Sequence, residues 1–150
     1  MGKYERIKGH TFERAIAKFF RECGWTKAAR NLREVVGRHA IRHHDLENTH
    51  PFPVQCKNTE AKAADRQLLN GIRTDTKTGM LFPLLIRKRN GCMPTVTMSL
   101  EDLDELLTSL RAEACKWHLQ DTTLVTMKLN EFRPILEALK KSGLYAKENA

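Results

Sequence analysis

Apolar side chains recur at intervals of three and four residues in the first part of the chain. The positions are Phe12, Ala15, Ile16, Phe19, Phe20 and Cys23. This spacing places them on one face of a helix, which we predict to run from Gly9 to Cys23. Gly24 stands where helices often end in a left-handed residue, and Trp25 can then pack back on the last turn.

The pattern changes after this helix. Residues 26–50 are polar, basic and rich in histidine, and they predict at most a short strand or a turn of helix. From residue 52 to residue 57, apolar and other side chains alternate, which predicts a strand. Gln55 and Lys57 then lie side by side on the face opposite the apolar set.

Helical and strand patterns follow each other in the middle of the chain. Residues 59–73 have the apolar spacing of a helix. Residues 80–86 are continuously apolar, as in an interior strand, although Pro83 suggests a bulge or a sheet edge. The Asn-Gly pair at residues 90–91 predicts a two-residue hairpin turn, with residues 95–98 as the returning strand.

The C-terminal part repeats a strand followed by a helix. Ser99 and Asp102 form a capping-box pattern that predicts the start of a helix. Residues 124–129 predict another strand and a second helix after it. The segments VTMSL at 96–100 and VTMKL at 125–129 share four of five residues, which indicates a duplicated strand and helix.

The order of elements predicts an α/β domain with a mixed β-sheet flanked by helices, with an α+β arrangement as the alternative. With 150 residues the chain has the length of one domain. We expect a single domain over residues 1–150, with a C-terminal strand and helix extension at about 116–143. We expect the tail at 144–150 to be loose.

Charge is unevenly distributed along the chain. The formal net charge is +8, and residues 1–44 hold eleven Lys and Arg against four Asp and Glu, a surplus of +7. Such a basic segment on a folded protein indicates a polyanionic partner, either nucleic acid or an anionic membrane surface. Because hydrophobic residues make up 41% of the chain, a disordered basic tail is excluded.

The sequence also bears on the compartment. The first ten residues lack the apolar stretch of a secretory signal, and the longest strongly apolar run, residues 80–86, is too short to span a membrane. The four cysteines form no CxxC pair, which fits neither a disulfide framework nor a zinc knuckle. We therefore expect an intracellular, cytoplasmic protein with reduced and mostly buried cysteines.

Three residues around the predicted strand could form a metal site. The Asp45 carboxylate and the Gln55 amide oxygen are hard ligands for Mg²⁺, and the Cys56 backbone carbonyl could be another. The Lys57 ammonium could orient an attacking water or stabilise developing negative charge. Alternatively, Asp45 is a solvated loop residue and the two strand side chains simply face water.

Glu13 and the histidines allow further interpretations. Glu13 lies at the boundary of the apolar helix face, where it could face a metal or pair with Arg14 or Arg38. The histidines are His39, His43, His44 and His50. A zinc site would need a further Cys or His pair at fixed spacing, so contacts to a DNA backbone or plain surface polarity are favoured for them.

Together these residues resemble the archaeal-type Holliday-junction resolvases, a branch of the PD-(D/E)xK nuclease superfamily. Gly9 and Glu13 match a G-x-x-x-E opening, and Asp45 is followed by Gln55 and Lys57 where that branch has an Asp and then E-x-K on a strand. The similarity covers about half the chain, from residue 9 to residue 86. The chain also resembles small resolvase-like endonucleases of bacteriophages, in which a Q-x-K version and a downstream R-x-N-G-type hairpin occur.

The resemblance implies a restriction-endonuclease-like core and a nuclease site. It implies that Glu13, Asp45, Gln55 and the Cys56 carbonyl hold Mg²⁺, for which Mn²⁺ could substitute, and that Lys57 is the catalytic lysine. Two residues depart from the family pattern. His44 replaces a proline that shapes the turn, and Gln55 replaces a glutamate, which removes one negative charge from the metal site.

We therefore expect a metal-dependent, structure-selective DNA endonuclease that acts on four-way or other branched DNA as a homodimer. The basic residues expected to contact the phosphate backbone are Lys3, Lys8, Arg14, Arg30, Arg33, Arg38 and Arg42. Two alternatives remain open. One is a nuclease of the same superfamily acting on linear DNA, and the other is a DNA-binding relative weakened in catalysis by Gln55.

Overall fold

The computed structural model describes residues 2–32, 44–60, 65–75, 82–110 and 124–144. Arg33, Arg38, Arg42, His39 and His43 therefore lie outside the described residues, as do most of the loop before the last strand and the tail after Leu144. The elements are α1 Lys3–Glu22, β1 Ala29–Arg30, β2 Leu46–Glu47, β3 Val54–Asn58, α2 Asp65–Asp75, β4 Leu84–Lys88, β5 Thr95–Ser99, α3 Leu100–Leu110, β6 Leu124–Lys128 and α4 Leu129–Ser142.

Four strands form a mixed sheet in the order β3-β4-β5-β6. β3 and β4 are parallel and are connected through α2, whereas β5 is antiparallel to both β4 and β6. β1 and β2 form a separate two-stranded antiparallel ladder. The predicted α/β domain with a mixed sheet flanked by helices is thus confirmed. The short β1–β2 ladder was not predicted.

The sheet is covered by helices on both faces because its strands alternate between two apolar clusters. Leu84 and Ile86 of β4 belong to the larger cluster, together with side chains from α1, α3 and α4. Leu85, between them, belongs to the smaller cluster with Leu69 and Ile72 of α2. A strand that is apolar at every position, as residues 84–86 are, needs this two-sided burial.

The first helix is longer than its apolar pattern predicted. α1 begins at Lys3 rather than at Gly9, since the added turns are mostly polar and their two large apolar side chains, Tyr4 and Ile7, are exposed. Its end was predicted correctly. Gly24 has a φ of +110°, and Trp25 packs on Phe20 with ring centroids 5.8 Å apart.

Several other boundaries differ from the prediction. Residues 59 and 60, where the second helix was predicted to start, are not helical, and the described part of α2 is Asp65–Asp75. The strand predicted at residues 80–86 is found at Leu84–Lys88. Pro83 precedes β4, which is an interior strand, so the proline marks neither a bulge nor an edge. The predicted two-residue turn is wrong, because residues 89–94 separate β4 from β5.

The duplicated sequence segments form equivalent structures. β5 leads directly into α3 and β6 leads directly into α4. In the antiparallel pairing of β5 with β6, Thr97 lies opposite Thr126, and their Oγ1 atoms are 2.7 Å apart. The predicted capping interaction is present, since the Asp102 N–H donates to Ser99 Oγ at 3.0 Å.

The cysteine prediction holds for two of the three described residues. Cys23 and Cys56 are free and buried, whereas Cys92 is free and exposed. Cys115 lies outside the described residues. No helix within the described part of the chain is long and apolar enough to cross a membrane.

Candidate active site

Asp45 is fixed against the outer edge of β3 by its backbone and by its side chain. Its N–H donates to the Val54 carbonyl at 2.7 Å, and its Oδ2 accepts the Cys56 N–H at 2.7 Å. Its own carbonyl accepts the Asn31 N–H at 2.8 Å, which joins it to the β1 side. Asp45 is therefore held by three hydrogen bonds, two to β3 and one to Asn31, and is not a solvated loop residue.

Glu13 is oriented by an ion pair with Arg30. α1 buries Phe12 and Ile16 on either side of Glu13, which sets the carboxylate at the boundary of the helix face. The Arg30 Nε donates to Glu13 Oε2 at 2.6 Å, and the two side chains are only 12% and 17% exposed. An arginine partner was expected, but Arg14 and Arg38 were the candidates. Arg30 is brought to Glu13 by the β1 strand.

A cavity of about 800 Å³ collects most of the predicted site. Glu13 from α1, Asp45 from the segment before β2, and Cys56 and Lys57 from β3 all line it, although 44 residues separate the first from the last of them in sequence. Lys8, predicted to contact DNA, is also at its wall. Two carboxylates and an ammonium group therefore face one open space.

Gln55 is placed differently. It does not line the cavity, its exposure is 8%, and its Oε1 accepts no hydrogen bond from any described residue. In the parallel ladder it lies opposite Leu85, a member of the apolar cluster beneath α2. Gln55 thus presents a buried acceptor oxygen that lacks a donor. Such an oxygen lowers the free energy of unfolding unless another group donates a hydrogen bond to it or coordinates it.

Burial sets the electrostatics of the site. The pKa of Asp45 is raised from 3.8 to about 6, first by desolvation and then by the charge of Glu13. The Cys56 N–H, Lys57 and Arg30 act in the opposite direction. Burial, reinforced by Asp45 and Glu13, also raises the pKa of the Cys56 thiol well above its usual range, so this cysteine is an inert thiol.

The donor set fits a hard divalent cation. Mg²⁺ is commonly bound by one or two carboxylates together with waters and substrate phosphates, and Glu13 and Asp45 supply two carboxylates at one cavity. The N–H and C=O of one strand residue point to the same side, so the Cys56 carbonyl is directed toward the Asp45 side of β3. Gln55 does not belong to this donor set, because it does not line the cavity.

The residues do not form a ready-made cage for a transition metal. Within the described ranges, no three His, Cys, Asp or Glu side chains are grouped so that they could hold a metal ion. His50 belongs to no such group among these residues. Its backbone carbonyl accepts the Trp25 indole N–H at 2.8 Å. Zinc ligation by His39 or His43 falls on residues outside the described ranges.

The basic residues expected to contact DNA occupy different surroundings. Lys3 and Arg14 are exposed on α1, and the Lys8 Nζ donates to Asn90 Oδ1 at 3.0 Å. Arg30 has little exposed surface and is engaged with Glu13. The structure therefore leaves Lys3, Lys8 and Arg14 accessible among the four described members of this set.

The sequence prediction did not include several residues at the cavity wall. They are Glu5, Arg6, His10, Asn58 and Thr59. His10 lies three residues before Glu13, so helical periodicity alone would place it on the same side of α1. Asn58 and the residues after it could not be identified, because nothing in the sequence shows that the end of β3 turns along the cavity.

Comparison of the chain with protein-family models, with curated proteins and with solved structures gave no match. The residues and geometry of the site described above are therefore what indicates a function for the protein.

Proposed function

We propose that the protein is a metal-dependent DNA endonuclease of the PD-(D/E)xK superfamily that cuts branched DNA, with a four-way junction as its preferred substrate. The observation that carries the proposal is the single cavity shared by Glu13, Asp45 and Lys57. These residue types are the ones that phosphodiester hydrolysis with a divalent cation requires. The basic surplus of the first 44 residues supports a polyanionic substrate.

Five residues of the cavity have roles in this proposal. Glu13 and Asp45 would hold Mg²⁺ or Mn²⁺, which supplies stabilisation of the negative charge that develops on the phosphate. Lys57 orients the attacking water and stabilises the same charge with its ammonium group. Lys8 and Arg6 at the cavity wall bind neighbouring phosphates. Asp45 acts only when ionised, so its raised pKa sets the lower pH limit of activity.

The order of the helices and strands supports the proposed superfamily. A helix with a carboxylate precedes a strand carrying Gln55 and Lys57, and a helix then connects that strand to a parallel neighbour. We propose that this is a restriction-endonuclease-like core to which β6 and α4 are an addition. Because a four-way junction has two equivalent strands to cut, we also propose that the active form is a homodimer, which is consistent with a phage-borne enzyme acting in a bacterial cytoplasm.

The test is cleavage of a labelled synthetic four-way junction in the presence of Mg²⁺. The natural protein should give paired, symmetric nicks, and both Asp45→Ala and Lys57→Ala should reduce the rate by about 10²-fold or more. Lys18→Ala is the matched control, because Lys18 is on α1 with 73% of its side chain exposed and forms an ion pair with Glu22 on the same helix. Cleavage that survives both cavity substitutions would rule out this site.

One observation favours a second function, a DNA-binding protein without cleavage. Gln55 stands outside the cavity and carries no charge, and Glu13 is already paired with Arg30. A protein of this kind would bind branched DNA equally well with and without divalent cations and would leave the DNA intact.

Competition between branched and linear DNA in the same assay separates a junction enzyme from a nuclease of linear duplexes.

A further inference from the structure

A second cavity of about 500 Å³ lies beside the first. Tyr4 and Ile7 from α1, Lys88 at the end of β4, and Asn90 in the following loop are among its lining residues. Lys8 and Asn58 line both cavities, so the two spaces adjoin across these residues. A strand of DNA whose phosphate occupies the first cavity would therefore have its next nucleotide beside the second.

The wall of this second cavity is both aromatic and cationic. Tyr4 is 79% exposed and Ile7 is 54% exposed, so both side chains place apolar surface on this wall. Lys8 and Lys88 place two positive charges on the same wall. An aromatic ring beside lysines matches a ligand that has a flat apolar face and a negative charge.

The wall is also organised by hydrogen bonds. The Lys8 Nζ donates to Asn90 Oδ1 at 3.0 Å, which links α1 to the loop after β4. The Asn58 Nδ2 is 3.4 Å from the Lys8 carbonyl that accepts from it, which links the end of β3 to the same helix. With its oxygen engaged, the Asn90 amide keeps N–H groups that can donate to the edge of a base.

We propose that the second cavity binds one unpaired nucleotide of branched DNA, with the base against the Tyr4 ring and the phosphate near Lys8 and Lys88. The inference rests on the proposed DNA substrate, and it names the feature of that substrate that is selected. Bases on aromatic side chains stack without sequence preference, because every base has a π-face. A base inside an intact duplex has no free face, so the cavity selects branched DNA that has an unpaired arm over fully paired DNA.

The first experiment measures binding without cleavage. Fluorescence anisotropy in EDTA compares a blunt duplex with a duplex of the same length that has a single-stranded arm. Tyr4→Ala should weaken binding to the armed duplex by about 5-fold to 150-fold and leave the blunt duplex unchanged. Tyr4→Phe keeps the ring and should bind as the natural protein does. Leu144→Ala is the control, because Leu144 is exposed but lies outside both cavities.

The second experiment identifies the contact directly. A photoreactive 5-iodouracil in the unpaired arm should crosslink to the peptide that contains Tyr4, and the same base within the duplex should not. Equal weakening of both DNAs by Tyr4→Ala, a loss in Tyr4→Phe as large as in Tyr4→Ala, or crosslinking elsewhere would overturn the proposal. A change only in oligomeric state on Tyr4→Ala would also overturn it, because the cavity would then be covered by a second copy of the chain.

The outcome is independent of the nuclease assay. If Tyr4→Ala loses selective binding while the natural protein cuts no DNA, the nucleotide site stands and the proposed cleavage falls. If the natural protein cuts four-way junctions but Tyr4→Ala binds the armed duplex as the natural protein does, the nuclease stands and the nucleotide site falls. If the natural protein binds neither DNA, both are rejected.

Discussion

The Arg30 guanidinium donates to the Glu13 carboxylate over 2.6 Å, with both side chains largely buried. Under the proposed function, Arg30 competes with the metal ion for the Glu13 carboxylate. Arg30→Ala leaves a mostly buried carboxylate without its partner and should lower the free energy of unfolding by about 1–3 kcal/mol, measured by urea titration. Lys18→Ala removes an exposed partner of the same helix and should cost under about 1 kcal/mol.

A divalent cation should offset this loss. In Arg30→Ala, Mg²⁺ can approach Glu13 without competition, so adding it should recover stability more than in the natural protein. The recovery should be absent when Glu13→Gln is combined with Arg30→Ala. An equal response to Mg²⁺ in the single and double variants would show that Glu13 does not contribute to cation binding.

The raised pKa of Asp45 predicts a specific dependence of stability on pH. The unfolded chain loses this proton near 3.8 and the folded chain near about 6, so the folded state binds more protons between these values. The free energy of unfolding contributed by Asp45 therefore falls as pH rises through this window, by about 3 kcal/mol in total, and is constant above it. Cleavage requires ionised Asp45 and should therefore show the opposite trend, rising as the pH rises through the range in which Asp45 loses its proton.

Asp45→Asn tests this assignment because an asparagine retains an acceptor for the Cys56 N–H. The variant should be more stable than the natural protein at neutral pH by about 1–3 kcal/mol, and it should cut no DNA. Glu105→Gln, an exposed change on α3, is the matched control and should alter neither property. Asp45→Asn with lower stability and an unchanged pH dependence would contradict a buried, ionised Asp45.

The unpaired oxygen of Gln55 gives a prediction in which two variants differ in sign. Gln55→Met removes a buried acceptor that lacks a donor and should raise the free energy of unfolding by about 1–3 kcal/mol. Gln55→Glu buries a charge and should lower it in EDTA, with Mg²⁺ restoring part of the loss if the side chain reaches the cation. No Mg²⁺ response in Gln55→Glu would remove residue 55 from the metal site.

The basic segment before Asp45 predicts a change in salt dependence. Arg33→Gln, Arg38→Gln and Arg42→Gln should weaken binding to all DNAs alike, because phosphate contacts carry no sequence information. Each lost contact should reduce the slope of log affinity against log salt concentration by about 0.9, measured by anisotropy at several salt concentrations. Arg133→Gln is the control, since Arg133 is paired with Glu22 and Glu137. An unchanged slope in the triple variant would place the DNA elsewhere.

Gly24 offers a test of the C-terminal end of α1. Its φ of +110° is unfavourable for other residues, and a Cβ there would lie 2.7 Å from Lys140 Cγ on α4. Gly24→Ala should therefore lower the free energy of unfolding by about 1–3 kcal/mol in urea titrations. Gly9→Ala is the matched change of opposite sign, because Gly9 is inside α1 with open space around it and should gain up to about 1 kcal/mol. Equal effects would contradict this account.

The sequence predicted the elements better than their ends. The face of α1 from Phe12 to Cys23 was readable because apolar periodicity reports burial, whereas the polar turns from Lys3 were not. The strands β3, β4, β5 and β6 were each recognised, but the loop at residues 89–94 was not, since an Asn-Gly pair favours a tight turn without excluding a longer loop. The β1–β2 ladder has two residues per strand and leaves no periodic signal.

The sequence predicted which main residues share the candidate site, but not the residue that pairs with Glu13. Glu13, Asp45 and Lys57 were identified from spacing and from the family resemblance, and the fold brings all three to one cavity. The Glu13 partner was not identified, because Arg30 reaches it only through the β1 segment. The exclusion of Gln55 from the cavity depends on which side of β3 is covered by α2, which the alternation of residues 52–57 leaves undetermined.

One consequence follows from where Asp45 is bound. β3 is at the margin of the four-stranded sheet, and a marginal strand with free N–H and C=O groups is a template for pairing with another chain. Asp45 occupies both the Val54 carbonyl and the Cys56 N–H on that side. Asp45, the residue proposed for catalysis, therefore also prevents this part of β3 from pairing with a strand of another chain. Any variant that shortens or removes its side chain exposes part of a sheet edge, so solubility and activity are linked at this one position.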